Sequence, residues 1–116
     1  MAGQQPGGAN VPEISVSEAW KRLSEGGQMP PPALIDVREA WEYRNGHAQG
    51  AVNIPLSEFQ KRVSEVPTDR EVLFICQMGG RSMQAARFMR TRGNERGVNV
   101  GGGTEAWQAQ GLPMEQ

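Results

Sequence analysis

The chain has one cysteine, one histidine and one tyrosine in 116 residues, and each scarcity narrows what it can be. A single thiol cannot close an internal disulfide, and a structural zinc site would call for two or more cysteines. Charge of one sign is not in surplus. Twelve Lys+Arg stand against 13 Asp+Glu, a formal net charge of -1, whereas a dedicated nucleic-acid binder carries a basic excess. Long apolar runs are missing too. The longest is Val72-Leu73-Phe74-Ile75-Cys76, far short of the roughly 20 residues that span a bilayer. No basic segment followed by an apolar stretch opens the chain, so no secretory signal is expected. These absences predict a small soluble cytoplasmic protein that needs neither nucleic acid nor membrane, holds no metal, and has one thiol to explain.

Glycine and proline, by contrast, are plentiful at 15 and 8, and they punctuate the chain. Residues 1–10 are mostly Gly, Gln, Pro and Ala. They have too little to bury to offset their ordering entropy, and a disordered tail is expected there. Residues 11–116 then read as one domain. Ser15 with Glu18 three residues on is a capping-box signature, opening a helix through Ala19, Trp20 and Leu23 that stops at Gly26-Gly27. The Pro30-Pro31-Pro32 run imposes an extended connector before a short buried strand, Ala33 to Val37. One or two helical turns over Glu39 to Arg44 come next. A turn between Gly46 and Gly50 leads to a strand at Val52 to Ile54, which Pro55 ends, and a short helix from Ser57 to about Val63 follows.

Glu71 to Cys76 is apolar without alternation, the pattern of a strand covered on both faces. A helix from Arg81 to about Arg92 places Ser82, Ala85, Ala86 and Met89 on one face. Val98 to Val100 is a last strand, and Gly101-Gly102-Gly103 leads into a short helix carrying Trp107. Strands alternating with helices predict an α/β domain with a mainly parallel central sheet.

The chemistry concentrates where Cys76 ends its strand and Arg81 opens the next helix, with Gln77-Met78-Gly79-Gly80 between them. Ligands of parallel α/β sheets sit outside the carboxyl ends of the strands. The glycines allow a tight backbone whose amides turn toward the sulfur, and the helix N-terminus adds partial positive charge. Such a setting lowers a thiol pKa and holds an anion. A buried, inert strand-end cysteine is the competing reading.

Four segments carry a resemblance: Ile35-Asp36-Val37-Arg38-Glu39 with Glu42-Tyr43, the stretch Gly46 to Leu56, Cys76-Gln77-Met78-Gly79-Gly80-Arg81-Ser82, and Gly102-Gly103 with Ala106-Trp107 and Gly111-Leu112-Pro113. In this order they resemble the signatures of the rhodanese family, the single-domain sulfurtransferases, over nearly all of Val11 to Pro113. The chain departs from the family pattern at Ala48, at Asn94-Glu95-Arg96 and at Gly101.

The resemblance implies a three-layer domain and transfer of a sulfane sulfur, typically from thiosulfate, to a thiol or cyanide through a Cys76 persulfide. Cys76 would be the nucleophile. Gln77, Met78, Gly79, Gly80, Arg81 and Ser82 would bind the small anionic donor, with Arg81 holding its oxyanion portion. No cofactor is required, and a monomer is expected, with a protein as a further possible sulfur acceptor. Two other readings stand beside it: a persulfide carrier or binding module serving a partner protein, and a cysteine-dependent phosphatase or arsenate reductase. The latter enzymes have one more residue between Cys and Arg. His47 is expected to be structural, and Asp36 and Arg38 to form a buried ion pair that holds the loop. Arg87, Arg90, Arg92 and Arg96 form a basic flank, either steering anions or simply solvated. Trp20, Trp41 and Trp107 are expected as core or half-buried anchors.

Overall fold

Strands too short to stand alone persist when a sheet is buried on both faces, and this chain is built on that principle. In the computed structural model, which describes residues 10–116, the elements follow in order. They are β1 (Glu13–Ile14), α1 (Val16–Ser24), β2 (Ala33–Asp36), α2 (Ala40–Arg44), β3 (His47–Ala48) and β4 (Val52–Asn53). A 3₁₀ segment over Leu56–Glu65 comes next, then β5 (Val72–Ile75), α3 (Gly80–Thr91), β6 (Gly97–Val100), α4 (Gly103–Ala109) and β7 (Met114–Glu115). The predicted disordered tail falls, apart from Asn10, outside the described residues. No helix among the described residues is long and apolar enough to cross a membrane.

The main sheet has five strands in the order β1-β6-β5-β2-β4, and every pairing in it is parallel. β5 is central, and its side chains, with that of Cys76 just beyond it, divide between two cores. Val72, Phe74 and Cys76 join Phe59, Ala85, Ala86 and Met89 under the 3₁₀ segment and α3. Leu73 and Ile75 join Val16, Ala19, Val98, Val100 and Trp107 under α1 and α4. Both faces being covered, β5 has no polar side to show, which explains its unbroken apolarity. The result is the expected three-layer α/β arrangement.

Local signals hold where the chemistry is local. Ser15 caps α1, accepting from the Glu18 amide at 3.1 Å, while the Glu18 carboxylate turns to Arg22 instead of closing the box. The buried residues of α3 are Ser82, Ala85, Ala86 and Met89, the predicted face. Other expectations need correcting. The segment after Pro55 is a 3₁₀ helix running to Glu65, not a short helix ending at Val63. A second, two-stranded antiparallel sheet pairs β3 with β7, His47 opposite Glu115. Of the tryptophans, Trp107 is buried and meets Trp20 edge to face at 6.0 Å. Trp41, however, is 62 % exposed and anchors nothing. α2, a helix of five residues with no fully buried member, turns Tyr43 toward the core and leaves Trp41 to solvent.

Candidate active site

The chain leaves β2 toward β4 on one side and leaves β5 toward β6 on the other. The crevice between their carboxyl ends is therefore a topological switch point, where ligands of such sheets bind. Residues following both strands meet there. Beyond β5, Cys76 is buried at 1 % exposure, and Gly79 serves as N-cap of α3 with φ of 116°. A side chain at that φ would be strained, so glycine permits the turn that brings the loop back over the sulfur. The Gly79 amide donates to Cys76 Sγ at 3.1 Å, and the Ser82 hydroxyl lies 3.2 Å from the same atom.

Burial works to raise the Cys76 pKa, but hydrogen bonding from Ser82, Gly79 and Met78 outweighs it. The thiol ends below its ordinary value, as expected where donors converge on a sulfur. Of the six residues expected to surround it, Met78, Gly79 and Ser82 act on the sulfur itself. Gln77 holds the loop through its side chain, and Gly80 begins α3. Met78 stands at the rim, 67 % exposed.

Arg81 is placed differently from the expectation of a guanidinium waiting for an oxyanion. It grips Glu42 of α2 through both terminal nitrogens, at 2.7 and 3.0 Å. Hydrogen bonding from Arg81 is the leading reason that the Glu42 carboxyl is held below its usual value. Arg81 uses two of its five N–H groups there, and three remain. Glu42 also accepts from the Glu39 amide at 2.9 Å, so the guanidinium is oriented by a residue that α2 itself pins.

The base of the loop is clamped from two sides. Arg38 is paired with Asp36 at 2.9 Å, the side chains 5 % and 0 % exposed. The same guanidinium donates to the Gly46 carbonyl at 2.7 Å and to the Gln77 side chain at 3.2 Å. From the other side, the start of α4 closes on the loop's carbonyls: the Thr104 amide and hydroxyl both donate to Cys76 O, at 2.8 and 3.0 Å. Gly103 permits that approach, since a Cβ there would lie 2.5 Å from the carbonyl oxygens of Cys76 and Gln77.

His47 makes its contacts elsewhere. Its Nδ1 donates to the Tyr43 carbonyl at 2.9 Å, and its ring stacks on Tyr43 at 3.6 Å. Of the predicted basic flank, Arg92 lies over the Phe88 ring at 5.7 Å, and Arg90 faces Glu95 at 3.9 Å. Sequence reasoning missed Thr104 and Asn99, and it placed Glu42 in a signature without foreseeing its partner. A polar residue inside an otherwise apolar strand, as Asn99 is in Gly97–Val100, was the available signal.

Comparisons with known proteins agree with this architecture. The chain is 38% identical over 99 residues to YrkF, a proposed sulfur carrier protein of Bacillus subtilis (strain 168), covering 85% of this chain but only 52% of that protein. A sulfurtransferase of Allochromatium vinosum is 37% identical over 104 residues, 90% of this chain and 94% of its own. The thiosulfate sulfurtransferase GlpE of Actinobacillus pleuropneumoniae serotype 3 is 31% identical over 103 residues, covering 89% and 92%. The family profile described as the rhodanese-like domain matches residues 15–110, and the chain belongs to that family.

Proposed function

We propose that the chain is a sulfurtransferase in which Cys76 takes a sulfane sulfur from thiosulfate, or a donor of similar chemistry, and hands it to a thiol or to cyanide. The Cys76 thiolate attacks the outer sulfur of the donor. A bond forms between Sγ and that sulfur, the donor's own S–S bond breaks, and sulfite departs with the bonding pair. An acceptor thiolate or cyanide then attacks the outer sulfur of the Cys76 persulfide, and the Cys76 thiolate is returned. The loop amides stabilise the anionic sulfur at both stages, acting as preorganised dipoles. Arg81, held by Glu42, faces the sulfonate with its free N–H groups. The observation that carries this reading is the sulfur itself: buried, held by Gly79 N–H at 3.1 Å and Ser82 Oγ at 3.2 Å, in a loop of this family.

The test is intact mass after thiosulfate treatment, followed by cyanide. Wild type gains the mass of one sulfur atom and releases it as thiocyanate, whereas Cys76→Ser folds and does neither. Thiosulfate:cyanide turnover that survived in the serine variant would remove Cys76 from the mechanism. A persulfide carrier serving a protein acceptor is the second reading, supported by the likeness to a proposed sulfur carrier and by the exposed Met78 at the rim. Loading that proceeds normally while small thiols unload it poorly would favour the carrier.

A further inference from the structure

The thiol is linked to a carboxylate on the far edge of the sheet. β1 pairs with β6 in a register that sets Glu13 opposite Asn99, so their side chains share one face. Asn99 Nδ2 donates to Glu13 Oε1 at 2.8 Å, and Ser82 Oγ donates to Asn99 Oδ1 at 2.6 Å. Ser82 Oγ in turn lies 3.2 Å from Cys76 Sγ. Asn99 and Ser82 are buried at 1 % and 0 % exposure, whereas Glu13 is exposed. Gly101 leaves the space that Glu13 occupies, since a Cβ there would lie 2.8 Å from Glu13 Oε2.

The chemistry of the groups gives this chain a direction. A carboxylate only accepts, so the amide nitrogen of Asn99 must face Glu13 and its oxygen must face Ser82. The amide oxygen also only accepts, so Ser82 spends its single proton on it. Toward Cys76 the hydroxyl is then an acceptor, suited to a thiol and not to a thiolate. For Ser82 to donate to the ionised sulfur, its proton must leave Asn99, and a buried carbonyl oxygen loses its partner.

We propose that Glu13, acting through Asn99, sets the direction of the Ser82 hydroxyl and with it the readiness of Cys76 to give up its proton. Glu13 and Asn99 are positioning residues that oppose the loop amides, so the thiol ionises less readily than the amides alone would make it. The gain is in reactivity, because thiolate nucleophilicity falls as the thiol pKa falls. The proposal bears on the sulfur-transfer reading, but it concerns ionisation alone, and its test uses no sulfur donor.

The full chain is titrated by thiolate ultraviolet absorbance and by the pH dependence of alkylation. In Glu13→Leu nothing accepts from Asn99 Nδ2. The amide can turn and donate to Ser82 Oγ, which releases the hydroxyl proton to the sulfur. The apparent ionisation then moves to lower pH by about one unit, the worth of one hydrogen bond to a charged group. Glu13→Gln removes the charge but keeps an acceptor oxygen, and it retains most of the wild-type profile. In a Ser82→Ala background Glu13→Leu has no effect. The other charged groups set around the loop, Asp36 at the end of β2 and Arg38 beyond it, Glu42 on α2, Arg81 on α3 and Glu105 on α4, are unchanged in every variant. Glu13 is exposed, so both of its variants are expected to fold. Equal shifts in Glu13→Leu and Glu13→Gln would mean a simple charge effect and overturn the proposal. So would an unchanged profile in Glu13→Leu, or a shift that persists without the Ser82 hydroxyl.

Discussion

Replacing Arg38 with methionine keeps most of the side-chain volume and removes the charge that Asp36 faces. Asp36 is fully buried. Besides the Arg38 backbone amide, its carboxylate oxygens receive Arg38 Nε at 3.2 and 3.1 Å and Nη2 at 2.9 Å. Removing one partner of a pair this deep leaves a charge without compensation and costs about 3–5 kcal/mol. The Gly46 carbonyl and the Gln77 side chain each lose a donor as well. Against a total stability of about 5–15 kcal/mol, that is a large share. With a urea slope of about 2 kcal/mol/M, the midpoint should fall by roughly 2 M with an unchanged slope. Asp36→Asn removes the stranded charge while keeping an oxygen for the Arg38 amide. The Asp36→Asn, Arg38→Met double variant should therefore be more stable than Arg38→Met alone, with a coupling of at least about 1.5 kcal/mol. Because Arg38 also reaches Gln77, Arg38→Met should lose sulfur transfer beyond what a core variant of equal stability loses. A single variant costing under about 1 kcal/mol, or costs that simply add in the double, would refute the view that this pair holds the loop's base.

Two further outcomes follow from the mouth of the loop. Under the proposed role of Arg81 in holding the donor's sulfonate, Arg81→Ala should raise the thiosulfate KM about tenfold while lowering kcat less; equal loss in both constants would place Arg81 in the transition state instead. The same variant should change the acid limb of stability. Hydrogen bonding from Arg81 depresses the Glu42 pKa below 4.5, so the folded state favours the ionised carboxylate. That contribution is complete above the unfolded value and is lost as pH falls through the lower folded value. Urea midpoints should therefore drop more steeply below about pH 4.5 in wild type than in Arg81→Ala, and parallel curves would contradict the pairing.

What the sequence by itself determined is what depends on neighbours along the chain. The unbroken apolarity of β5 already implied cover on both faces, and the Ser82-Ala85-Ala86-Met89 spacing already marked the buried side of α3. The Cys76 loop was legible for the same reason: strand, glycines and helix start are contiguous, and the turn they make is local. Asp36 and Arg38 lie two residues apart, so their pairing could be expected from the strand that ends between them. The tertiary structure decided everything that rests on distant partners. β1, β3 and β7 have two residues each, too few to show a period, and they exist because a strand far along the chain offers its hydrogen bonds. Trp41 looked like an anchor until the fold turned Tyr43, and not Trp41, of α2 toward the core. Arg81 looked free for an anion until packing of α2 brought Glu42 within 2.7 Å. Glu13 and Asn99 had no visible link to Cys76, because only the parallel register of β1 on β6 sets them side by side. Side-chain hydrogen bonds act over about 3 Å of space whatever the distance along the chain, so the loop could be read from its own residues and the groups that tune it could not.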